Sequence, residues 1–423
     1  MGSFIIQGSN SLEGIVEIGG SKNAALPILA STVICGREYL LENIPDIEDV
    51  RDMLEMLRIM GCTVQYDNGI ALIDTRGLNT YQVPEKLVRK IRSSIILMGA
   101  VLQRTGKVEI AYPGGCEIGL RPIDLHLKGL RKLGVEILEK SGMLVGKVKD
   151  TKVSEDCEIL LDYPSVGATE NIMLYAVGVE GRTIINNPAR EPEIVDLQNF
   201  LNACGYSVSG AGTGVIVIEG KKLASIDTVE YKIIPDRIEA GTYLSAAASM
   251  KSKIYIKNIE KSHFKSITSI FEDAGCEIRE THGTIVITNN GRIKAIEKVT
   301  TQPYPGFPTD MQAQVMASMA VANGISIIEE TVFESRFKHV PELQKMGANI
   351  TTIGRVAVIE GVPRLFGAEV ESKDLRGGAA LVIAALGAEG TTKVNNIHHI
   401  NRGYEKFVSK LQNLGVIITE IDE

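Results

Sequence analysis

Leu57-Arg58-Ile59-Met60-Gly61-Cys62-Thr63-Val64 reads as a helix end, a glycine and the start of a strand. The phrase returns as Leu130-Arg131-Lys132-Leu133-Gly134-Val135-Glu136-Ile137 and as Leu201-Asn202-Ala203-Cys204-Gly205-Tyr206-Ser207-Val208. Further copies lie at 271–278, 343–350 and 411–418. The six glycines, Gly61, Gly134, Gly205, Gly275, Gly347 and Gly415, follow one another at intervals of 73, 71, 70, 72 and 68 residues. Each is placed to end a helix in the left-handed conformation, where a side chain would be strained. The apolar–polar alternation after it predicts a strand.

A second series keeps the same period. The segments 21–34, 91–102, 165–179, 238–250, 309–321 and 375–386 are apolar, with Ala, Gly and Ser around most of the helix circumference. A helix with no polar face is a buried one, and small side chains let helices approach closely. The repeating unit is therefore buried helix, strand, loop, amphipathic helix, glycine, strand, strand. At about 70 residues it is too long for a TPR or leucine-rich solenoid. A chain of 423 residues is also long for a single core, so two domains of three units each are expected. The last unit has only one strand after Gly415. Its closing strand is expected from an N-terminal hairpin over 4–18. One domain is then discontinuous, 1–20 with 233–423, around a second at 21–232.

Composition narrows the function classes. A net charge of −7 with no basic run argues against a general nucleic-acid binder. No apolar run reaches the length of a membrane span, and the first residues lack the basic start and long apolar core of a signal peptide. Six cysteines form no CxxC pair, which disfavours a zinc ribbon or thioredoxin-type site. A reduced, cytoplasmic protein is expected. Cys35, Cys62, Cys204 and Cys276 fall at core points of the repeat, and Cys157 precedes a strand in a polar stretch.

Only Cys116 lies somewhere special. Pro113-Gly114-Gly115-Cys116-Glu117-Ile118-Gly119-Leu120-Arg121-Pro122-Ile123-Asp124-Leu125-His126 is a glycine-rich loop running into a helix. It reads either as a surface turn with a stray thiol or as a loop that closes over an anionic substrate. The buried helices also begin with polar residues: Lys22-Asn23, Arg92-Ser93-Ser94, Ser165, Asp236-Arg237, Thr309-Asp310 and Asp374-Leu375-Arg376. Helix N-termini favour anions. Lys22, Arg92, Arg121, Arg237, Arg336, Arg376 and Arg402 could add a cluster of cations, which suits phosphate and carboxylate groups. Asp310 is the exception. It is either a helix-stabilising charge or a general base beside a hydroxyl. His398-His399, taken as strand residues, point opposite ways and cannot readily share a metal. HExxH, Walker A and Rossmann signatures are missing, and no metal or cofactor is expected. Gly210-Ala211-Gly212-Thr213-Gly214 reads as a hairpin turn.

Taken together, several motifs resemble the bacterial UDP-N-acetylglucosamine 1-carboxyvinyltransferases, enolpyruvyl transferases that commit a sugar nucleotide to peptidoglycan. They are Gly20-Ser21-Lys22-Asn23-Ala24-Ala25-Leu26-Pro27, the cysteine loop, Ser165-Val166-Gly167-Ala168-Thr169 and Ala189-Arg190-Glu191-Pro192-Glu193-Ile194-Val195-Asp196. Pro235-Asp236-Arg237-Ile238-Glu239, Phe307-Pro308-Thr309-Asp310-Met311-Gln312-Ala313-Gln314, Arg336-Phe337-Lys338-His339-Val340, Asp374-Leu375-Arg376 and Arg402-Gly403-Tyr404-Glu405 complete the set. The resemblance implies an inside-out α/β barrel in two domains, built from six βαβαββ-like units. It implies transfer of the enolpyruvyl group of phosphoenolpyruvate to the sugar 3-hydroxyl through a tetrahedral intermediate, with release of phosphate.

The resemblance also implies residue roles. Cys116 becomes the general acid, able to form a covalent adduct, and Asp310 the base. Lys22 and Arg402 join them as catalytic residues, and Lys22, Asn23, Arg121, Arg336, Arg376 and Arg402 become the phosphoenolpyruvate pocket. Arg92, Arg121, Pro122, Ile123, Asp124 and Leu125 line the UDP-sugar site, together with Tyr163, Pro164, Ser165, Val166, Asp310 and Val332. Tyr163-Pro164 replaces a Lys-Val pair of some members, so no lysine contact to the nucleotide carries over. A cysteine at 116 implies alkylation by fosfomycin. The sister transferase acting on shikimate 3-phosphate, and a non-catalytic sugar-nucleotide-binding regulator, are the competing readings.

Overall fold

The computed structural model describes residues 2–114, 122–149, 156–220 and 227–422. The chain divides into two compact units, one of residues 2–19 with 235–422 and one of residues 20–114 with 122–234. Each unit has three helices inside and three sheets outside.

In the 20–234 unit the inner helices are Lys22–Ser31, Leu97–Thr105 and Val166–Ala176. The second is entered through a 3-10 turn, Arg92–Ile96. In the other unit they are Arg237–Ala248, Gln312–Met319 and Leu375–Leu386. Every residue of Arg237–Ala248 and Leu375–Leu386 is buried. That is what the missing polar face demands, and the three helices pack on one another. The six repeat glycines all have positive φ, from 85° at Gly134 to 99° at Gly61, so each ends its outer helix as the sequence requires.

The six sheets share one plan. A short strand enters in parallel, the strand after the inner helix lies beside it, and an antiparallel pair completes the sheet. In the clearest copy Cys157–Leu160 runs parallel to Gly181–Asn186, which pairs with Val215–Gly220 and then Ser207–Ser209. The turn between the last two carries Gly210 and Gly212 at positive φ, the expected hairpin. The sheet of Lys107–Ala111, Met143–Val148 and Val135–Lys140 has three strands, with a parallel bridge from Gln82 to Glu109 where the entering strand belongs.

The N-terminal residues do not form the hairpin expected over 4–18. Gly2–Gln7 lies between Thr391–Asn395 and Ile417–Asp422, antiparallel to both, and supplies the strand missing after Gly415. Ser11–Glu17 goes to another sheet, parallel to Lys251–Lys257. Thr228–Lys232 meanwhile enters the first sheet of the 20–234 unit, parallel to Glu38–Glu42. These two entering strands thus serve the inner helix of the unit they belong to, not the helix that follows them in sequence. The chain crosses twice between units, and backbone bonds join the crossings. Ser21 N donates to Ile234 O at 2.8 Å, and Asp236 N donates to Gly19 O at 3.0 Å.

Candidate active site

The N-terminal ends of the inner helices carry the charges. In the 235–422 unit, Asp236 caps its helix by accepting from Ile238 N and Glu239 N, and Asp374 caps its helix by accepting from Arg376 N and Gly377 N. The remaining inner helix, Gln312–Met319, is entered through a 3-10 turn, Thr309–Met311, which places Asp310 at its start. Arg336 Nη2 donates to Asp310 Oδ1 at 2.7 Å, and Arg376 Nη2 donates to Oδ2 at 3.2 Å. The two arginine side chains are 4% and 3% exposed and the aspartate 28%, so the carboxylate is the open member of a buried triad.

Burial alone would push the Asp310 carboxyl up, but the Arg376 and Arg336 guanidiniums hold it well below the usual carboxylate range. It is ionised at neutral pH. Arg336 Nε and Arg376 Nε and Nη1 are buried without a hydrogen-bond partner among the described residues. Buried donors of a fixed cation are costly unless an acceptor meets them. An oxyanion would meet them, and two guanidinium forks suit phosphate or carboxylate.

The triad has a support. The Arg376 guanidinium lies 5.5 Å from the centroid of the Tyr404 ring. Tyr404 OH is 2.9 Å from Thr242 Oγ1 on the Arg237–Ala248 helix. Gln314 Nε2 donates to Tyr404 OH at 3.3 Å and to Asp310 O at 2.8 Å. All three inner helices therefore meet at one phenol. Behind Arg336, His339 is 2% exposed. Its imidazole is pushed down to about 4 by burial and by Arg336, although Asp374 partly offsets this, so it is neutral. Arg402 closes the short His398–Asn401 helix, two residues before Tyr404. His398 and His399 belong to that helix rather than to a strand, with ring centroids 4.0 Å apart. The residues before it, Thr391–Asn395, already fill the strand position.

The 20–234 unit holds a second set. Lys22 opens the first inner helix, with Ser21 accepting from Ala24 N as its cap. Lys22 Nζ lies 2.6 Å from Asp49 Oδ2, with the two side chains 11% and 4% exposed. The sequence reading missed Asp49. Its signal was a carboxylate on the apolar stripe of the amphipathic helix Glu48–Ile59. Asn23 follows Lys22, half-buried. The Arg92 turn packs against both the Lys22 helix and the Val166 helix, and Ser165 caps the latter by accepting from Ala168 N.

Beneath Arg92, His126 is buried at 5% exposure. Asn171 Oδ1 accepts from Gly99 N at 2.6 Å, which turns its Nδ2 toward His126 Nδ1 at 3.0 Å. The imidazole therefore accepts at Nδ1 and is neutral, pushed down to about 3 by burial and by Arg92. Asp124, at the start of its helix, and Tyr163 are exposed; Pro122 is too, while Ile123 is turned into the core. Leu125, Pro164, Ser165 and Val166 are half-buried in this unit, and Val332 is half-buried in the other. Cys116 and Arg121 lie outside the described residues. Cys35, Cys62, Cys157, Cys204 and Cys276 are buried free thiols.

Comparisons with known proteins match this architecture along its whole length. The enolpyruvyl transferase NikO from Streptomyces tendae superposes with a TM-score of 0.89 at 24% identity, over 99% of this chain and 98% of its own. EPSP synthase from Acinetobacter baumannii superposes with a TM-score of 0.76 at 18% identity, over 100% of both chains. A family model for EPSP synthase (3-phosphoshikimate 1-carboxyvinyltransferase) covers residues 6–411. The fold is thus that of the enolpyruvyl transferases.

Sequence relatives narrow the class. UDP-N-acetylglucosamine 1-carboxyvinyltransferase 2 of Caldanaerobacter subterraneus subsp. tengcongensis is 50% identical over 100% of both chains. The enzyme of that name from Thermotoga maritima is 45% identical, also over 100% of both. The chain belongs to the UDP-N-acetylglucosamine 1-carboxyvinyltransferase family, within the wider EPSP synthase family.

Proposed function

We propose that the protein transfers the enolpyruvyl group of phosphoenolpyruvate to the 3-hydroxyl of UDP-N-acetylglucosamine, releasing phosphate, as the first committed step of peptidoglycan synthesis. The observation that carries this reading is the buried Asp310–Arg336–Arg376 triad with its unpartnered guanidinium donors. It offers a base and an anion site side by side.

In this scheme the sugar oxygen bonds to C2 of phosphoenolpyruvate while a proton is added at C3. The tetrahedral adduct then loses phosphate and a C3 proton, restoring the vinyl group. Phosphoenolpyruvate takes the free faces of Arg336 and Arg376, with Lys22, Asn23, Arg121 and Arg402. Arginines drawn to the substrate release Asp310, whose basicity then rises toward that of an ordinary carboxylate, which suits it to receive the hydroxyl proton. Cys116 supplies the proton to C3, since a thiol with an ordinary pKa is mostly protonated at neutral pH. Arg92, Pro122 to Leu125, Tyr163 to Val166 and Val332 line the UDP-sugar site. Cations already in the pocket stabilise the adduct, which keeps both its phosphate and its carboxylate. The reaction is cytoplasmic and needs no metal or cofactor.

The test is phosphate release from phosphoenolpyruvate with UDP-N-acetylglucosamine, run beside shikimate 3-phosphate and a Cys116→Ala variant. Release with the sugar nucleotide alone, lost in the variant, is expected. Release only with shikimate 3-phosphate moves the protein to the sister activity, and tight UDP-sugar binding without release makes it a regulator. Fosfomycin is expected to add one equivalent of mass at Cys116, and an unmodified thiol under turnover removes that assignment.

A further inference from the structure

Glu330 follows the strand Ile325–Glu329 and is 1% exposed. A buried carboxylate must have its oxygens met, and here neutral donors meet them. Oε2 accepts from Thr309 Oγ1 at 2.8 Å. Oε1 accepts from Thr301 Oγ1 at 2.9 Å, from Val332 N at 2.8 Å and from Phe333 N at 3.1 Å. Thr301 reinforces the same corner, taking Thr331 N on its hydroxyl at 2.9 Å and Thr331 Oγ1 on its carbonyl. One side chain thus ties two turns of different origin. The first carries Thr309 and Asp310. The second carries Val332 and Phe333, and the Phe333 ring lies 5.5 Å from the Arg336 guanidinium.

We propose that Glu330 is a positioning residue for the acceptor sugar, fixing the distance between the turn that bears the base Asp310 and the turn that bears Val332. This rests on the function proposed above and adds the part that sets its acceptor side. Glu330 acts through the two turns it joins rather than on the substrate itself. Its span, rather than its charge, matters. A glutamine keeps the span: its carbonyl oxygen can accept from Val332 N and Phe333 N while its amide donates to the Thr309 hydroxyl. An aspartate keeps the charge but is shorter by one methylene, about 1.5 Å, and cannot reach both turns. A displacement of that size at a reacting group costs up to about a hundredfold in rate.

The experiment is steady-state kinetics on full-length Glu330→Gln and Glu330→Asp, varying UDP-N-acetylglucosamine and phosphoenolpyruvate separately, with a melting curve for each. Glu330→Gln is expected within about threefold of the parent. Glu330→Asp is expected to lose about tenfold to a hundredfold in kcat/KM for the sugar nucleotide, with KM for phosphoenolpyruvate unchanged. The proposal is overturned if Glu330→Asp matches the parent, or if glutamine is as damaging as aspartate. It is overturned equally if both substrates weaken together, or if kcat falls only with the folded fraction while KM holds. A parent inactive with these two substrates overturns the proposed function itself and takes the assignment with it.

Discussion

Asp310→Asn removes the charge that two buried guanidiniums share. Hydrogen bonds to charged groups contribute ~1.5–3 kcal/mol each. Asparagine keeps one acceptor oxygen, so one bond survives and a loss of about 2 kcal/mol is expected. The 28% exposure of the carboxylate keeps this below the ~3–5 kcal/mol of breaking a fully buried pair. For a unit of this size, 1 kcal/mol moves the Tm by about 2–4 °C, so the variant should melt about 4–8 °C lower. The folded carboxyl lies below its unfolded value. Its contribution is therefore complete above about pH 4 and fades as pH falls through the depressed folded value. The gap between parent and variant should stay constant at neutral pH and close only in strong acid. Inorganic phosphate should narrow it too, by taking the freed guanidiniums and stabilising the variant more than the parent. The assay is calorimetry in buffers with and without phosphate. Equal melting temperatures in the phosphate-free buffer would refute the argument, because the triad would then be contributing nothing.

Three further outcomes follow from the same geometry. His126 is neutral in the fold, pushed down to about 3, so its contribution is complete above about pH 6.5 and is lost as pH falls toward the folded value. His126→Gln should flatten denaturant stability against pH by about one proton, ~1.4 kcal/mol per unit, between pH 6 and 4; an unchanged slope excludes it. In Gly99→Ala the new Cβ would sit 2.3 Å from Asn171 O and 2.4 Å from its Oδ1. The backbone oxygen cannot yield and the Asn171 amide is held by Gly99 N and Ile95 O, so a loss of about 3 kcal/mol is expected in urea titration, and parent-like stability would show that the helices can part. Lys22→Met and Asp49→Asn each remove one side of a buried ion pair. A double-mutant cycle should give about 2 kcal/mol of coupling or more, and additive losses would dissolve the pair.

The repeat made most of the fold legible. Six glycines at one period located six helix ends, and six helices without a polar face announced three-helix interiors. The N-terminal strands were misread because 2–7 and 11–17 are neighbours in sequence, and a hairpin is the local solution. Their real partners lie hundreds of residues away, chosen by which inner helix each strand must cover. The histidine pair was misread because nothing local distinguishes a one-turn helix from a strand end. At the site, Asp310 and Arg376 could be named from sequence because each stands at the polar start of an apolar segment, and Arg336 because it recurs among the loop cations and in the motif Arg336-Phe337-Lys338-His339-Val340. Asp49 and Glu330 could not. Each is one carboxylate among the 52 acidic residues of the chain, and only the tertiary partner sets it apart.

Gly2–Gln7 is an inner strand of its sheet, and its register runs from Gly2 against Asp422 to Gln7 against Ile417. During synthesis these residues emerge long before both of their flanking strands, Thr391–Asn395 and Ile417–Asp422. The 20–234 unit draws every strand of its sheets from its own span, so it can assemble while the ribosome is still at work. Residues 2–7 must meanwhile wait, without either flanking strand, until Thr391–Asn395 and Ile417–Asp422 have been made. The discontinuous unit completes itself only once strands from both of its ends meet, by closing a loop that runs from Gln7 to Thr391. Such a closure is slow and exposed to mispairing, which makes these few N-terminal residues the point at which a nascent-chain chaperone would most influence the yield of active protein.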